Sequence, residues 1–242
     1  MPNDNATSMN EAKQAAGERA AELVRTGMHV GLGTGSTTAY ALQAIGRRVR
    51  EDSLHVRGVP TSFASERLAR ACGIPLTSLD EIDRLDLALD GADEVSPDLD
   101  LIKGRGGAHT REKVVAAQAD RLVILIDPSK DVQTLGETRI LPVEVVPMAV
   151  GPVTRHLEHL GAEPALRMGE QKDGPVVTDQ GLWIVDARFP GGMNDPHSVD
   201  RSLRDRPGVL DHGLFLDMAT DVFVGHPDGG VEHREREPSR RP

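Results

Sequence analysis

Residues 29–37 read His29-Val30-Gly31-Leu32-Gly33-Thr34-Gly35-Ser36-Thr37, and residues 38–49 continue as TAYALQAIGRRV. A short apolar run ends in glycines. Behind them Ala39, Leu42, Ile45 and Val49 recur at helical spacing, with Ser36 and Thr37 as candidate N-caps. Strand, glycine loop and helix in that order open an α/β fold, and the same alternation repeats outward from this point. An Ala-rich helix (11–24) precedes it. After it come a strand in LHVRGV (54–59), a helix in SFASERLARAC (62–72) stopped by Gly73, and a strand in LDLALD (85–90). A helix over 110–119 and a strand in RLVILID (121–127) follow. The pattern predicts a doubly wound, mostly parallel, Rossmann-like sheet with helices on both faces.

After Asp127 the texture changes. ILPVEVV (140–146) carries a proline inside a strand-like run, which predicts an edge or inter-domain strand. A helix over 152–160, strands near 163–168, 175–178 and 182–188, and a helix near 197–206 predict a smaller α+β domain. GLFL (213–216) and DVFVG (221–225) are expected to return to the first sheet. The expected division is a Rossmann-like domain over 1–137 and 208–230 with an inserted α+β domain over 138–207. From Pro227 the chain is charged and rich in Gly and Pro, and 231–242 is expected to be a solvated, disordered tail.

Composition excludes several function classes. The 242 residues carry a formal charge of −10 and six aromatic side chains: Phe63, Phe189, Phe215, Phe223, Trp183 and Tyr40. Nucleic-acid binding, which needs a basic groove and stacking platforms, is not expected. No apolar run approaches the roughly 20 residues that span a bilayer, so no membrane partner is expected. The first ten residues are polar and unlike a secretory signal, and the single cysteine, Cys72, permits no internal disulfide. These features predict a cytoplasmic protein. Only 5 of the 28 basic residues are lysines, so each lysine draws attention.

Four clusters carry chemistry. In Gly31–Thr37, glycines permit close backbone approach to an anion, and the following helix offers unpaired N–H groups and a positive dipole end. The dinucleotide fingerprint fails at Ser36, where a third glycine is required, and the nucleotide-hydrolase phosphate loop fails for want of a lysine. Asp90-Gly91-Ala92-Asp93-Glu94 lies at the carboxyl end of an apolar strand, where open α/β sheets place ligands. Its carboxylates suit sugar hydroxyls or a divalent metal; no His or carboxylate cluster elsewhere in the sequence supports the metal. Lys103-Gly104-Arg105-Gly106-Gly107 places a lysine, able to stabilise an oxyanion, before a flexible glycine run. Glu112, in Thr110-Arg111-Glu112-Lys113, reads either as a general base or as an acid complementing a helix dipole. Together the clusters form a minimal kit for enolising a phosphosugar: phosphate cradle, hydroxyl-binding aspartates, electrophilic lysine and carboxylate base.

The strings GLGTGSTTAYAL, DGADEV, LIKG-x-GGA-x-TREKVVA, PVEVVPMA and PGVLDHGLF, in this order and spacing, resemble those of the type A ribose-5-phosphate isomerases. The resemblance runs from about Glu11 to Gly230. It implies interconversion of ribose 5-phosphate and ribulose 5-phosphate in the pentose phosphate pathway, with no metal and no organic cofactor. By the same resemblance Glu112 is the proton-transferring base, and Asp90, Asp93 and Lys103 bind the opened sugar and assist ring opening and enediolate formation. Thr34, Gly35, Ser36 and Thr37 match the substrate loop; Gly91, Ala92, Gly104, Arg105 and Gly106 complete the substrate-binding set. Lys130 and Lys13 match lysines near the phosphate. The implied assembly is a homodimer or homotetramer.

Two positions depart from the family pattern: Arg105 stands where glycine is usual, and His109 where an apolar residue is usual. If position 105 needs a positive φ, arginine there costs roughly 1–3 kcal/mol of strain. Its guanidinium is otherwise expected to reach the phosphate or the acidic turn. His109 reads as a structural residue at the start of a helix, and Cys72 as a small core residue. Two other classes remain for comparison. A phosphosugar-sensing regulator is disfavoured because fewer than 30 residues precede the first strand, and the acidic charge opposes DNA binding. A dinucleotide-dependent oxidoreductase is disfavoured by Ser36.

Overall fold

The computed structural model describes residues 4–236. In chain order its elements are α1 (Asp4–Ala21), β1 (His29–Leu32), α2 (Ser36–Glu51), β2 (Arg57–Pro60), α3 (Phe63–Ala71), β3 (Leu87–Gly91), β4 (Glu94–Val95), β5 (Leu101–Ile102), α4 (His109–Ala117) and β6 (Leu122–Ile126). Then follow β7 (Leu141–Val145), α5 (Val150–His159), β8 (Glu163–Leu166), β9 (Trp183–Arg188), α6 (Pro196–Arg204), β10 (Val209–His212), β11 (Leu214–Phe215), β12 (Asp221–Gly225) and β13 (Val231–Glu235). The described residues form two compact units, 4–92 with 111–130 and 218–236, and 93–110 with 131–217.

The first unit is built on a six-stranded sheet in the order β2-β1-β3-β6-β12-β13. The five strands from β2 to β12 are parallel, and β13 runs antiparallel to β12. Every residue of β6 and β12 is buried. Unbroken apolar runs of this kind are what parallel strands covered on both faces require. From β1 the chain passes to β2 on one side and then crosses to β3 on the other. The order therefore reverses between β1 and β3, the point at which such sheets open a crevice beyond the carboxyl ends of their strands. The core is almost wholly aliphatic: Leu32, Leu42, Ile45, Leu89, Val123 and Leu125 pack with a single aromatic ring, Phe223. Burying each such side chain contributes roughly 1.5–3 kcal/mol. α3 begins in a capping box, in which Ser62 Oγ accepts from Ser65 N and Ser65 Oγ accepts from Ser62 N, both at 3.0 Å.

The second unit holds a four-stranded antiparallel sheet, β10-β7-β9-β8, and a three-stranded one, β11-β5-β4. Its own core joins Leu141, Val143, Val145, Val153, Leu157, Val185 and Leu203. α6 begins at Pro196, one residue ahead of the expected 197–206, with Asp195 as its N-cap accepting from Ser198 N at 2.9 Å and Pro196 in the first turn.

Several expectations are corrected. β7 is an interior strand despite Pro142. β10 pairs only with Val143–Val145, and the Pro142 carbonyl on that side accepts from Gly213 N at 2.8 Å. A strand residue's N–H and C=O point the same way, so the missing N–H falls beyond the β10 ladder. GLFL does not return to the first sheet; its β11 pairs with β5. Residues 175–178 make only an isolated bridge, Met168 to Pro175, and a turn at Thr178. The segment read as a tail contains β13, paired with β12 along its whole length; residues 237–242 lie outside the described part. Asp93–Thr110, expected with the first sheet, clusters with the second unit.

Candidate active site

In the first unit, the loop after β1 is fastened to the end of β3. Gly33 N donates to Leu89 O at 2.9 Å and Thr34 N donates to Asp90 Oδ1 at 3.0 Å, an atom that also accepts from Gly91 N at 2.8 Å. Asp90 is 3% exposed. A Cβ at position 33 would lie 2.3 Å from Asp90 Oδ1, so this approach demands glycine. Thr34 Oγ1 donates to Ser62 Oγ at 2.7 Å and shares a 2.8 Å bond with Thr61 Oγ1. Threonine 34 is thereby spent on holding the loop against α3. Gly35, rather than the expected Ser36 or Thr37, is the N-cap of α2, which therefore has no side-chain cap, and its first turn has no acid. Its first N–H groups and dipole end point out of an exposed Gly35-Ser36 corner, the arrangement an anion needs. One turn on, Thr38 is fully buried, and its Oγ1 has no hydrogen-bond partner among the described residues.

Lys130 ends a short turn, Pro128–Lys130, directly after β6, so it follows the same carboxyl edge as Gly33 and Asp90. Asp127, 1% exposed, fixes that turn through Ser129 N at 3.0 Å. Lys13 lies half-buried on α1, and among the described residues it forms no hydrogen bond or ion pair that would tie it to the loop.

In the second unit, Asp93 and the glycine run meet. Asp93 N donates to Ile102 O at 2.8 Å, and Asp93 Oδ2 accepts from Arg105 N at 3.0 Å. Lys103 is 3% exposed, its N–H donates to Gly213 O at 2.9 Å, and its Nζ lies 5.4 Å from the centre of the Phe215 ring. That cation–π contact helps to hold the ammonium in place. Gly104 has φ +97°, and a Cβ there would lie 2.6 Å from His109 Cβ. Position 105 is not in the left-handed region, so arginine there is unstrained. Its side chain is exposed, and its carbonyl accepts from Arg167 Nη1 at 2.9 Å. Gly106 is exposed beside it. Glu94, the third carboxylate of the acidic turn, is fully buried and accepts from Gly136 N, Thr138 N, Thr138 Oγ1 and Arg139 N at 2.5–2.7 Å. It builds the 136–139 loop and is committed there.

Glu112 sits in the first turn of α4, 5% exposed. His109, which opens that helix, is fully buried, in keeping with a structural role. The candidate residues thus fall in both units: Thr34–Thr37, Asp90–Ala92, Glu112, Lys130 and Lys13 in the first, Asp93 and Lys103–Gly106 in the second.

The family model for ribose 5-phosphate isomerase A (phosphoriboisomerase A) matches residues 57–229. The chain belongs to that family. The ribose-5-phosphate isomerase A of Trichodesmium erythraeum is 51% identical over 219 residues, 90% of this chain and 92% of that protein. That of Thermosynechococcus vestitus is 50% identical over 230 residues, 94% and 97% of the two chains. A solved D-ribose-5-phosphate isomerase in complex with phospho-erythronic acid superposes with TM-score 0.91 at 41% identity, covering 94% of this chain and 99% of that one. Ribose 5-phosphate isomerase A from Methanocaldococcus jannaschii gives 0.88 at 43%, covering 93% and 98%.

Among the described residues of this ribose 5-phosphate isomerase A family member, one further group has metal-like spacing: Asp221, His233 and Glu235. The sequence hides it, because His233 and Glu235 lie in the charged stretch expected to be a solvated tail. Asp221 is already held by Arg121 through two bonds of 2.7 and 3.2 Å, by Thr220 Oγ1 at 2.6 Å and by His233 Nε2 at 2.8 Å. A carboxylate engaged by a guanidinium in this way serves as an anchor for β13. No helix among the described residues is long and apolar enough to cross a membrane.

Proposed function

We propose that the chain interconverts D-ribose 5-phosphate and D-ribulose 5-phosphate through an enediolate, with Glu112 as the base. The observation that carries this reading is the uncapped, acid-free start of α2 fastened at the sheet's switch point to the Asp90 turn. Family membership names the phosphosugar that such a corner would take, and the complex of a solved relative with phospho-erythronic acid, a phosphorylated sugar acid, is consistent with it.

In the proposed reaction the phosphate lies at the α2 N-terminus, near Lys130 and Lys13, and supplies binding energy remote from the reacting carbons. Asp90, Asp93 and Lys103 receive the opened sugar. Glu112 takes the C2 proton of the open-chain aldose, the released electron pair forms the C1–C2 double bond, and O1 takes the negative charge. Lys103 offsets that charge. Moving the O2 proton to O1 and returning the carbon proton to C1 yields the ketose. The step balances without an external electron acceptor, and neither metal nor organic cofactor is proposed. The working form is proposed to be a cytoplasmic homodimer or homotetramer, which sedimentation of the purified chain would read.

Purified protein is expected to equilibrate the two pentose phosphates from either side. Glu112→Gln is expected to lower kcat by about 100-fold or more while KM stays within a few-fold, because the phosphate grip is untouched. Failure of the wild type to equilibrate them would overturn the reading. Near-normal turnover by the variant would move the base elsewhere.

A further inference from the structure

The strand segment Leu141-Pro142-Val143-Glu144-Val145 contains a titratable group that the proposed chemistry does not use. All five residues of β7 are buried, and Glu144 is 0% exposed. Val143 and Val145 point into the unit's aliphatic core. Strand alternation sends Glu144 to the opposite face. There its carboxyl group meets two hydroxyls: Thr178 Oγ1 donates to Oε1 and Thr110 Oγ1 donates to Oε2, both in short hydrogen bonds. Thr178 is itself fixed, since its Oγ1 accepts from Gln180 N at 3.3 Å and from Leu182 N at 3.1 Å.

Burying a carboxyl group in a central strand is costly, and Asp211 of β10 stands directly across the ladder from it, an unfavourable like-charge pairing. A strand needing only packing would carry an apolar residue at 144. The acid links two separate elements. Its rigid end is the Thr178 turn, and its other end is Thr110. Thr110 is in the first turn of α4, the same turn that carries Glu112. A partial negative charge delivered to a helix start is also the favourable polarity for the dipole.

We propose that Glu144 is a positioning residue for the isomerisation. Through Thr110 it sets the rotation of the first turn of α4 and so aims the Glu112 carboxyl at the carbon acid. The inference rests on the assignment of Glu112 as base. It needs no contact between Glu144 and substrate, and it predicts an effect on the chemical step rather than on binding, because small errors in aiming a base are expensive in rate.

The test is steady-state kinetics on ribose 5-phosphate with four single variants and one double, each checked for its thermal unfolding midpoint. Thr110→Val removes the donor hydroxyl at nearly constant shape, and is expected to lower kcat roughly 10- to 100-fold with KM within about twofold of wild type. Glu144→Leu should do the same. Thr110→Ser, which keeps the hydroxyl, and Glu144→Gln, whose amide oxygen can stay on Thr178 while its NH2 turns to Thr110 Oγ1, should recover most of that loss. The Thr110→Val/Glu144→Leu double variant should be no slower than the worse single, since both cut one link. The inference is overturned if Thr110→Val and Glu144→Leu keep kcat within twofold. It is overturned equally if their losses add fully, or if KM rises while kcat holds. Should Glu144→Leu fail to fold, Thr110→Val against Thr110→Ser decides alone. Glu112→Gln runs alongside: normal turnover there removes the base assignment itself, whereas its collapse beside an unaffected Thr110→Val removes only the positioning role.

Discussion

A methyl group at position 33 would sit 2.3 Å from Asp90 Oδ1, whereas an arginine at position 105 sits where no glycine is needed. The two glycine-loop positions therefore predict opposite responses. Gly33→Ala must push the loop off the β3 end and is expected to cost about 1–3 kcal/mol in urea unfolding, with KM for the phosphosugar raised. Arg105→Gly relieves no strain, because the positive φ values in that run belong to Gly104 (+97°) and Gly107 (+77°). Added freedom in the unfolded chain should make this variant less stable by about 0.4–1 kcal/mol; a gain would contradict the geometry. Residues whose partners are local could be read from the string: the Gly33–Thr37 corner and the Asp90 turn are each a strand end followed by glycine. Glu94 and Glu144 could not. Their partners, residues 136–139 and Thr110 with Thr178, arrive from more than 30 residues away, and nothing in a string of letters says which loop will return to a given acid.

Among the elements, β13 shows why an edge strand hides. Val231-Glu232-His233-Arg234-Glu235 has no apolar face, as suits a strand that must not invite further pairing. Val231 packs against the first unit's core, and the rest of what fastens the strand is polar and aromatic. His233 stands edge-on to Phe223 at 4.5 Å and bonds Asp221, which Arg121 also grips. Burial disfavours the Asp221 carboxylate, but the hydrogen bonds from Arg121, Thr220 and His233 outweigh it and hold its pKa below the ordinary value. An acid whose folded pKa is depressed adds stability above its unfolded pKa, near 3.9 for Asp, and loses it as pH falls through the folded value. Asp221→Asn should therefore be less stable than wild type at pH 7, and the gap should shrink as pH drops below about 4. A gap that stays constant across urea titrations at pH 7, 4 and 3 would rule this out. β7 is interior for a related reason: a proline marks an edge only if its missing N–H faces a ladder, and Pro142 lies past the end of β10.

For the whole molecule, the change of texture after Asp127 announced a second body because the alternation of strand and helix stops there. The membership of Asp93–Thr110 was invisible, since β4 and β5 are two residues each and carry no periodicity. Each unit has its own core, and each is assembled from separated stretches of chain. Truncation should therefore be graded by sheet position. Ending the chain after His226 removes β13 alone and should leave a folded protein with a lower Tm; ending it after Asp217 also removes β12 and bares the edge of β6, and should give aggregated product. Equal solubility of the two truncations on expression would count against this ordering. The same geometry sets a schedule for synthesis. β6, the apolar run Leu122-Val123-Ile124-Leu125-Ile126, waits for its neighbour β12 until roughly 95 further residues have been added. At about 5–20 residues per second, that leaves a sticky strand edge bare for roughly 5 to 20 seconds on every ribosome. The nascent chain, more than the finished enzyme, is where this fold needs protection, and chaperone demand should fall on the interval between β6 and β12.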